Sequence, residues 1–144
     1  MRYLFFLFLM IFTVEMVTAQ DAAIESIRAA IELNKQKDYE TSILLCNNAI
    51  TLNPELAVTY FLRGYNNYLL KNYKEAIIDF TKTISKEPDH FEAIYYRAKC
   101  RQANGDYIGA LKDFNAAREL SPSQTTLFMV KGMFSSIFGG ASKK

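Results

Sequence analysis

The chain shows two patterns of apolar positions. Leu4 to Val14 is an almost unbroken apolar run (LFFLFLMIFTV), closed by Glu15. Downstream, apolar residues alternate with polar ones in a pattern that predicts paired helices of about 14 residues each. The expected spans are 23–36 and 39–52, 57–70 and 73–86, 91–104 and 107–120. Polar breaks at Lys37-Asp38, Lys71-Asn72 and Gly105-Asp106 separate the two helices of each pair. The pattern predicts helices throughout, an all-α fold.

These spans repeat. The chain has three prolines, Pro54, Pro88 and Pro122, and they are evenly spaced. Their interval is the period of a stacked helical repeat. In that register Tyr39, Tyr73 and Tyr107 coincide, as do Ile43, Ile77 and Leu111. Small residues coincide twice, at Ala30, Gly64 and Ala98 and at Ser42, Ala76 and Ala110. A large side chain there would force paired helices apart, so these positions are expected to mark close approach. The tyrosines are expected to fill the space beside each tight turn. Asp38, Asn72 and Asp106 are suitable N-caps, because their side-chain oxygens accept from free helix N–H groups. Asn72 followed by Glu75 has the form of a capping box. Proline lacks an N–H and excludes the helical region for its predecessor, so each proline is expected to end a second helix.

Charge follows the same register. Arg63 and Arg97 share one position in the first helix, and Asp79 and Asp113 share another in the second. In the first unit these positions hold Ala29 and Leu45. The charges are present together or absent together, which predicts an Arg–Asp contact between the helices of units two and three.

The stretches Tyr60-Phe61-Leu62-Arg63-Gly64, Asn72-Tyr73-Lys74-Glu75-Ala76-Ile77-Ile78-Asp79-Phe80, Gly105-Asp106-Tyr107 and Ala110-Leu111-Lys112-Asp113-Phe114 resemble the tetratricopeptide repeat (TPR) family. The resemblance implies antiparallel helix-turn-helix repeats stacked in a right-handed superhelix, with a concave groove lined by the first helices. It divides the chain into repeats at 23–56, 57–90 and 91–124, a capping or partial fourth-repeat helix at 125–138 and a tail at 139–144. Carried over position by position, it implies a partner-binding groove containing Ile27, Ile31, Phe61, Tyr65, Tyr68, Tyr95 and Lys99. Each aromatic alone reads equally well as packing between units; Phe61, Tyr65 and Tyr95 together read as groove. Some family members hold a C-terminal carboxylate with Lys, Asn and Arg. The matching positions here are Ile27, Ile31, Leu62, Glu92 and Tyr96, which do not fit, so that activity is not carried over.

Residues 1–19 read as an export signal. Arg2 supplies the positive end, and Val17-Thr18-Ala19 supplies small residues before a cleavage that would leave Gln20 first. Eleven helical residues reach roughly 16 Å, against a hydrocarbon core of about 30 Å, which favours a cleaved signal over an anchor. The Phe/Leu-rich segment ending in Ala-Gln resembles exported proteins of Bacteroidetes-type bacteria, and implies a periplasmic or secreted location. At the other end, 124–138 (QTTLFMVKGMFSSIF) is expected to form a helix capped by Ser123, with Gly132 in the register of Gly64. Its many apolar residues suggest self-association or membrane-surface contact through 127–138.

Composition adds exclusions. With 22% charged residues, 50% hydrophobic residues and a net charge of +2, the chain is neither disordered nor a basic nucleic-acid binder. Cys46 and Cys100 fall in non-adjacent layers and are expected to be buried free thiols. The only histidine, His90, lies in an inter-repeat turn. No Cys/His metal cluster, phosphate-binding glycine loop or Ser-His-Asp arrangement is present, so neither catalysis nor a cofactor is expected. The functional expectation is an exported adaptor that holds a protein or peptide partner. The alternative is a structural subunit assembling through the C-terminal helix.

Overall fold

In the computed structural model, the backbone is described for residues 2–138 and the side chains for residues 18–130. Seven helices occupy these residues: α1 Arg2–Lys35, α2 Tyr39–Leu52, α3 Ala57–Leu69, α4 Tyr73–Lys86, α5 Phe91–Ala103, α6 Tyr107–Leu120 and α7 Pro122–Phe138. The second helices α2, α4 and α6 have the bounds the spacing predicts, and α3 and α5 end one residue early. α1 differs most, running back to Arg2 instead of starting near residue 23. No glycine or proline lies between Arg2 and Lys35, so nothing in the chain stops the helix there. The side chains of the expected export signal, except Thr18 and Ala19, lie outside the described residues, as does the tail 139–144. Among the described residues no helix is long and apolar enough to cross a membrane.

α1 pairs with α2, α3 with α4 and α5 with α6, and each pair packs on the next. Consecutive first helices also touch (α1 with α3, α3 with α5), whereas consecutive second helices do not come as close. The stack therefore curves with its first helices inside. Small residues allow the close packing: Ala30, Ser42, Ala76 and Ala98 are fully buried and Ala110 nearly so. At Gly64 an added Cβ would lie 3.0 Å from Asp79 Cβ and 3.1 Å from Phe80 Cε1, so α3 and α4 meet there almost backbone to side chain.

Each first helix ends in the same left-handed residue. Lys37, Lys71 and Gly105 have φ of 66°, 64° and 86°. The next amide reaches back to the carbonyl five positions earlier: Asp38 to Leu33 (2.9 Å), Asn72 to Asn67 (2.8 Å) and Asp106 to Arg101 (2.9 Å). This is the Schellman closure. Glycine adopts this conformation without the Cβ clash that lysine incurs. Lys71→Gly is expected to stabilise the protein by up to about 1 kcal/mol, and Gly105→Ala to destabilise it by about 1 kcal/mol, in urea titrations followed by helicity. The same sign for both changes would contradict this account of the turns.

Two of the three expected caps form. Asp38 accepts from the Thr41 amide (3.2 Å) and Asp106 from the Gly109 amide (2.9 Å). Asn72 makes no capping bond; its side chain turns to Asn67 instead, so the expected capping box with Glu75 is absent. His90 caps α5 through Nδ1, which accepts from the Ala93 amide (3.3 Å).

Pro54 and Pro88 lie in turns past the ends of α2 and α4. Pro122 sits at the same distance past α6 but is itself the first residue of α7, a position where its missing N–H costs nothing. The Thr125 amide bonds to the Ser121 carbonyl (3.0 Å), so Ser123 lies inside the helix rather than capping it. α7 leaves the end of the stack partly uncovered. Tyr39 and Tyr73 are half-buried, but Tyr107 at the same repeat position is 70% exposed.

Cys46 and Cys100 are free and fully buried. Burial pushes both thiols up to about 12, far from the thiolate that reacts. A disulfide-exchange reagent at pH 8 is expected to label neither cysteine in the folded protein and both after denaturation. Rapid labelling of native protein would show that these layers open.

Candidate interaction surface

The inner side is built around a row of aromatic rings on α3. Phe61, Tyr65 and Tyr68 stand at i, i+4 and i+7 and so share one face of the helix. Phe61 and Tyr65 have centroids 6.3 Å apart with planes 12° from parallel; Tyr65 and Tyr68 are 6.2 Å apart at 29°. Tyr96 of α5 closes the row from the side, 5.0 Å from Tyr65 and 5.2 Å from Tyr68. Phe80 of α4 supports it from below, 5.9 Å from Phe61 and 6.1 Å from Tyr96. His90 stacks on Phe61 at 4.7 Å. All four row residues are half-buried, packed against the core formed by Ala76, Phe80, Ala93 and Cys100. Burial raises the phenols of Tyr68 and Tyr96, so both remain neutral donors.

The seven expected groove residues fall into different settings. Phe61, Tyr65 and Tyr68 come together as above. Tyr95 does not present an open face: it is 4% exposed, with Phe114 at 5.6 Å and Phe128 of α7 at 5.1 Å. Ile27 is likewise buried, whereas Ile31 is exposed. Neither isoleucine belongs to the buried cluster on which the aromatic row packs. Lys99 is half-buried, lies 6.0 Å from the Tyr95 ring and makes no ion pair among the described residues. Tyr96 and His90 were not among the expected groove residues. Tyr96 shares its repeat position with Leu62, which disguises it as ordinary packing.

The expected Arg–Asp contacts are present and hold this surface in place. Arg63 donates to Asp79 through Nε (3.0 Å) and Nη2 (2.6 Å), and Arg97 to Asp113 through Nε (2.9 Å) and Nη2 (2.8 Å). Each guanidinium also reaches back one unit: Arg63 to Asn47 (2.7 Å) and Arg97 to Thr81 (3.2 Å). Asn47 and Thr81 themselves occupy one repeat position. Depressions of about 320 and 330 Å³ flank Arg63 and Asp79; α2, α3 and α4 line the first, and α3 and α4 the second. None of the seven expected groove residues lines either one.

The first two layers are further joined by a buried polar chain that the repeat pattern does not reveal. Asn34 bonds to Asn66, Asn66 donates to Ser42 Oγ (2.7 Å), and Ser42 donates to the Ala30 carbonyl (2.8 Å). One repeat later, Ser42 and Asn66 are replaced by Ala76 and Cys100, and the contact becomes apolar. Among the described residues no group of three His, Cys, Asp or Glu side chains could hold a metal.

No family model matches the chain. Among curated proteins, it is 32% identical over 89 residues to serine/threonine-protein phosphatase 5 of Rattus norvegicus, covering 62% of this chain and 18% of that protein. It is 25% identical over 92 residues to the Protein SGT1 homolog of Bos taurus, covering 64% and 27%. The chain thus spans less than a fifth of the phosphatase. Among solved structures, the first TPR of Spaghetti (RPAP3) bound to an HSP90 peptide superposes with a TM-score of 0.72 at 21% identity, over 78% of this chain and 90% of that one. The Arabidopsis OM64 TPR domain gives 0.73 at 22%, over 78% and 95%. The TPR2B domain of yeast Sti1 in complex with pHsp70 gives 0.66 at 25%, over 84% and 86%. These superpositions establish the architecture: an all-α stack of antiparallel hairpins with the TPR fold.

Proposed function

We propose that the chain is an exported adaptor that holds a segment of a partner protein on its inner, aromatic surface. The observation that carries this reading is the half-buried row Phe61, Tyr65, Tyr68 and Tyr96 on the inner helices. Solved structures with the same fold include complexes, among them the RPAP3 domain with its HSP90 peptide and the Sti1 domain with pHsp70. The activity is binding, and no phosphatase chemistry is transferred from a relative of which the chain spans 18%. Export, to the periplasm or beyond the cell, is supported by Arg2, the apolar run and Val17-Thr18-Ala19.

A photo-crosslinking residue at position 65 should capture a defined partner in the native cell, and one at the outward-facing Ile78, 67% exposed, should not. Equal capture from both positions would place binding elsewhere. Mass spectrometry of the native protein should find Gln20 as its first residue; intact Met1 in the cytosol would overturn export.

A second reading has its own support. Leu127, Met129 and Val130 of α7 are 49%, 44% and 42% exposed, and an apolar helix face of this kind suits assembly. Sedimentation decides between the readings: Leu127→Asp with Val130→Asp should dissociate an α7-mediated oligomer, and a monomeric parent chain eliminates it.

A further inference from the structure

Resting on the assembly reading and independent of the adaptor reading, we infer that a second copy of this chain covers the open end of the stack, each copy laying its α7 on the α6 of the other. Two positions of each second helix carry the contact with the next unit. Tyr73 and Ile77 of α4 pack against the cluster that holds Ala93 and Cys100 of α5. One unit on, the same positions hold Tyr107 and Leu111, 70% and 62% exposed. The other half of that contact is open as well. Leu127 of α7 shares its repeat position with Thr59 and Ala93, which are fully buried, yet it is 49% exposed. Val130 shares its position with the buried Leu62 and is 42% exposed.

The connection explains why one chain does not close this contact itself. Residues 53–56 join α2 to α3 and residues 87–90 join α4 to α5, four in each turn. Only Ser121, extended at φ −153° and ψ 90°, separates α6 from α7. The register of Ala57 and Phe91 would start the next first helix at Thr125. α7 begins instead at Pro122 and absorbs the residues that the other units use to reverse direction. One residue is too short to lay α7 back along α6, and the two pack far less closely than α2 with α3 or α4 with α5. Phe128 holds the start of α7 against Phe91 and Tyr95 of α5, so the helix is set in place while its contact with α6 stays unmade. A hinge too short for closure within one chain directs the helix to a neighbour.

The occupant is the tail end of a second copy and not its head. At the positions of Thr59 and Asn66, α1 carries Glu25 and Glu32. Both are exposed, and their ion pairs are with Arg28 (3.5 Å) and Lys35 (3.1 Å) of α1 itself. Stacking that head on Tyr107 and Leu111 would bury two carboxylates against an apolar face. Head-to-tail growth is thereby blocked, and contact between two tails closes on a two-fold axis.

Sedimentation of the native protein should show a dimer that gains no further subunits with concentration. Leu111→Asp, at an exposed position that leaves the chain folded, should raise the dissociation constant about tenfold or more. Inserting Gly-Ser-Gly after Ser121 restores a four-residue turn and should give a monomer of unchanged helicity. A photo-crosslinking residue at position 111 is then read in dimers re-formed from isotope-labelled and unlabelled chains. It should join residues 122–130 of the other chain in the parent, and of the same chain in the insertion variant. A monomeric parent overturns both this inference and the assembly reading. A dimer that keeps its affinity with Leu111→Asp, or that crosslinks only within one chain, overturns the exchange and preserves assembly. Capture from position 65 judges the adaptor reading separately.

Discussion

Arg63→Ala is expected to cost about 3–5 kcal/mol, and Arg63→Ala combined with Asp79→Leu is expected to restore most of that loss. The single change strands the Asp79 carboxylate, 3% exposed, with only the Asn67 amide at 3.5 Å. A buried ion without its partner has lost both water and the guanidinium, and its desolvation is uncompensated. The double change removes the charge that needed compensation. The first repeat already has this apolar solution, since Ala29 and Leu45 occupy the two positions. Urea midpoints of the parent, both single variants and the double variant form a complete cycle. Additive losses, with no coupling, would mean that the bidentate bonds contribute nothing beyond their separate side chains. Asp113 is expected to be less sensitive to loss of Arg97, because Arg101 also donates to it at 2.8 Å.

The repeat period made this pair legible, because a shift of one position in the register would have separated Arg63 from Asp79. The same period located the close-packed positions and the bounds of α2, α4 and α6. It did less well where a residue's setting depends on which neighbour follows. Tyr95 occupies an inner position, yet Phe128 covers it. Tyr107 aligns with the half-buried Tyr73, yet α7 leaves it exposed. The left-handed turns at Lys37 and Lys71 were hidden because lysine occupies a site where glycine would have signalled the conformation, as Gly105 does. Asn72 had the right chemistry for a cap, but Asn67 offered its side chain a competing partner. α1 extended past its expected start because nothing in the sequence marks a stop.

The interfaces between layers also differ in kind. Units one and two meet through the buried Ser42–Asn66 bond, and units two and three through Ala76 and Cys100. A buried polar pair tolerates few alternative registers, since any shift leaves an unsatisfied amide. An apolar interface is less selective and depends on shape. Stacking order is therefore set more strictly at the N-terminal interface, and the C-terminal one depends on filling volume.

Phe80 is the largest fully buried side chain among the described residues, and Phe80→Ala is expected to cost about 3–5 kcal/mol. Its side chain is fully buried, packs against the Gly64 backbone and supports Phe61 and Tyr96 from below. Truncation opens a cavity that the neighbouring helices can close only by disturbing the adjacent Arg63–Asp79 geometry. Phe114, at the same repeat position but half-buried, should cost clearly less when cut to alanine. Chemical denaturation of the two variants measures this gradient directly. The consequence extends to the surface: with Phe80 gone, Phe61 and Tyr96 lose the floor that orients their rings. Binding to the aromatic row should therefore weaken even at urea concentrations where the variant remains fully helical. Equal costs at Phe80 and Phe114, or an undisturbed row above an emptied floor, would show that the inner surface is not held in place by the layer beneath it.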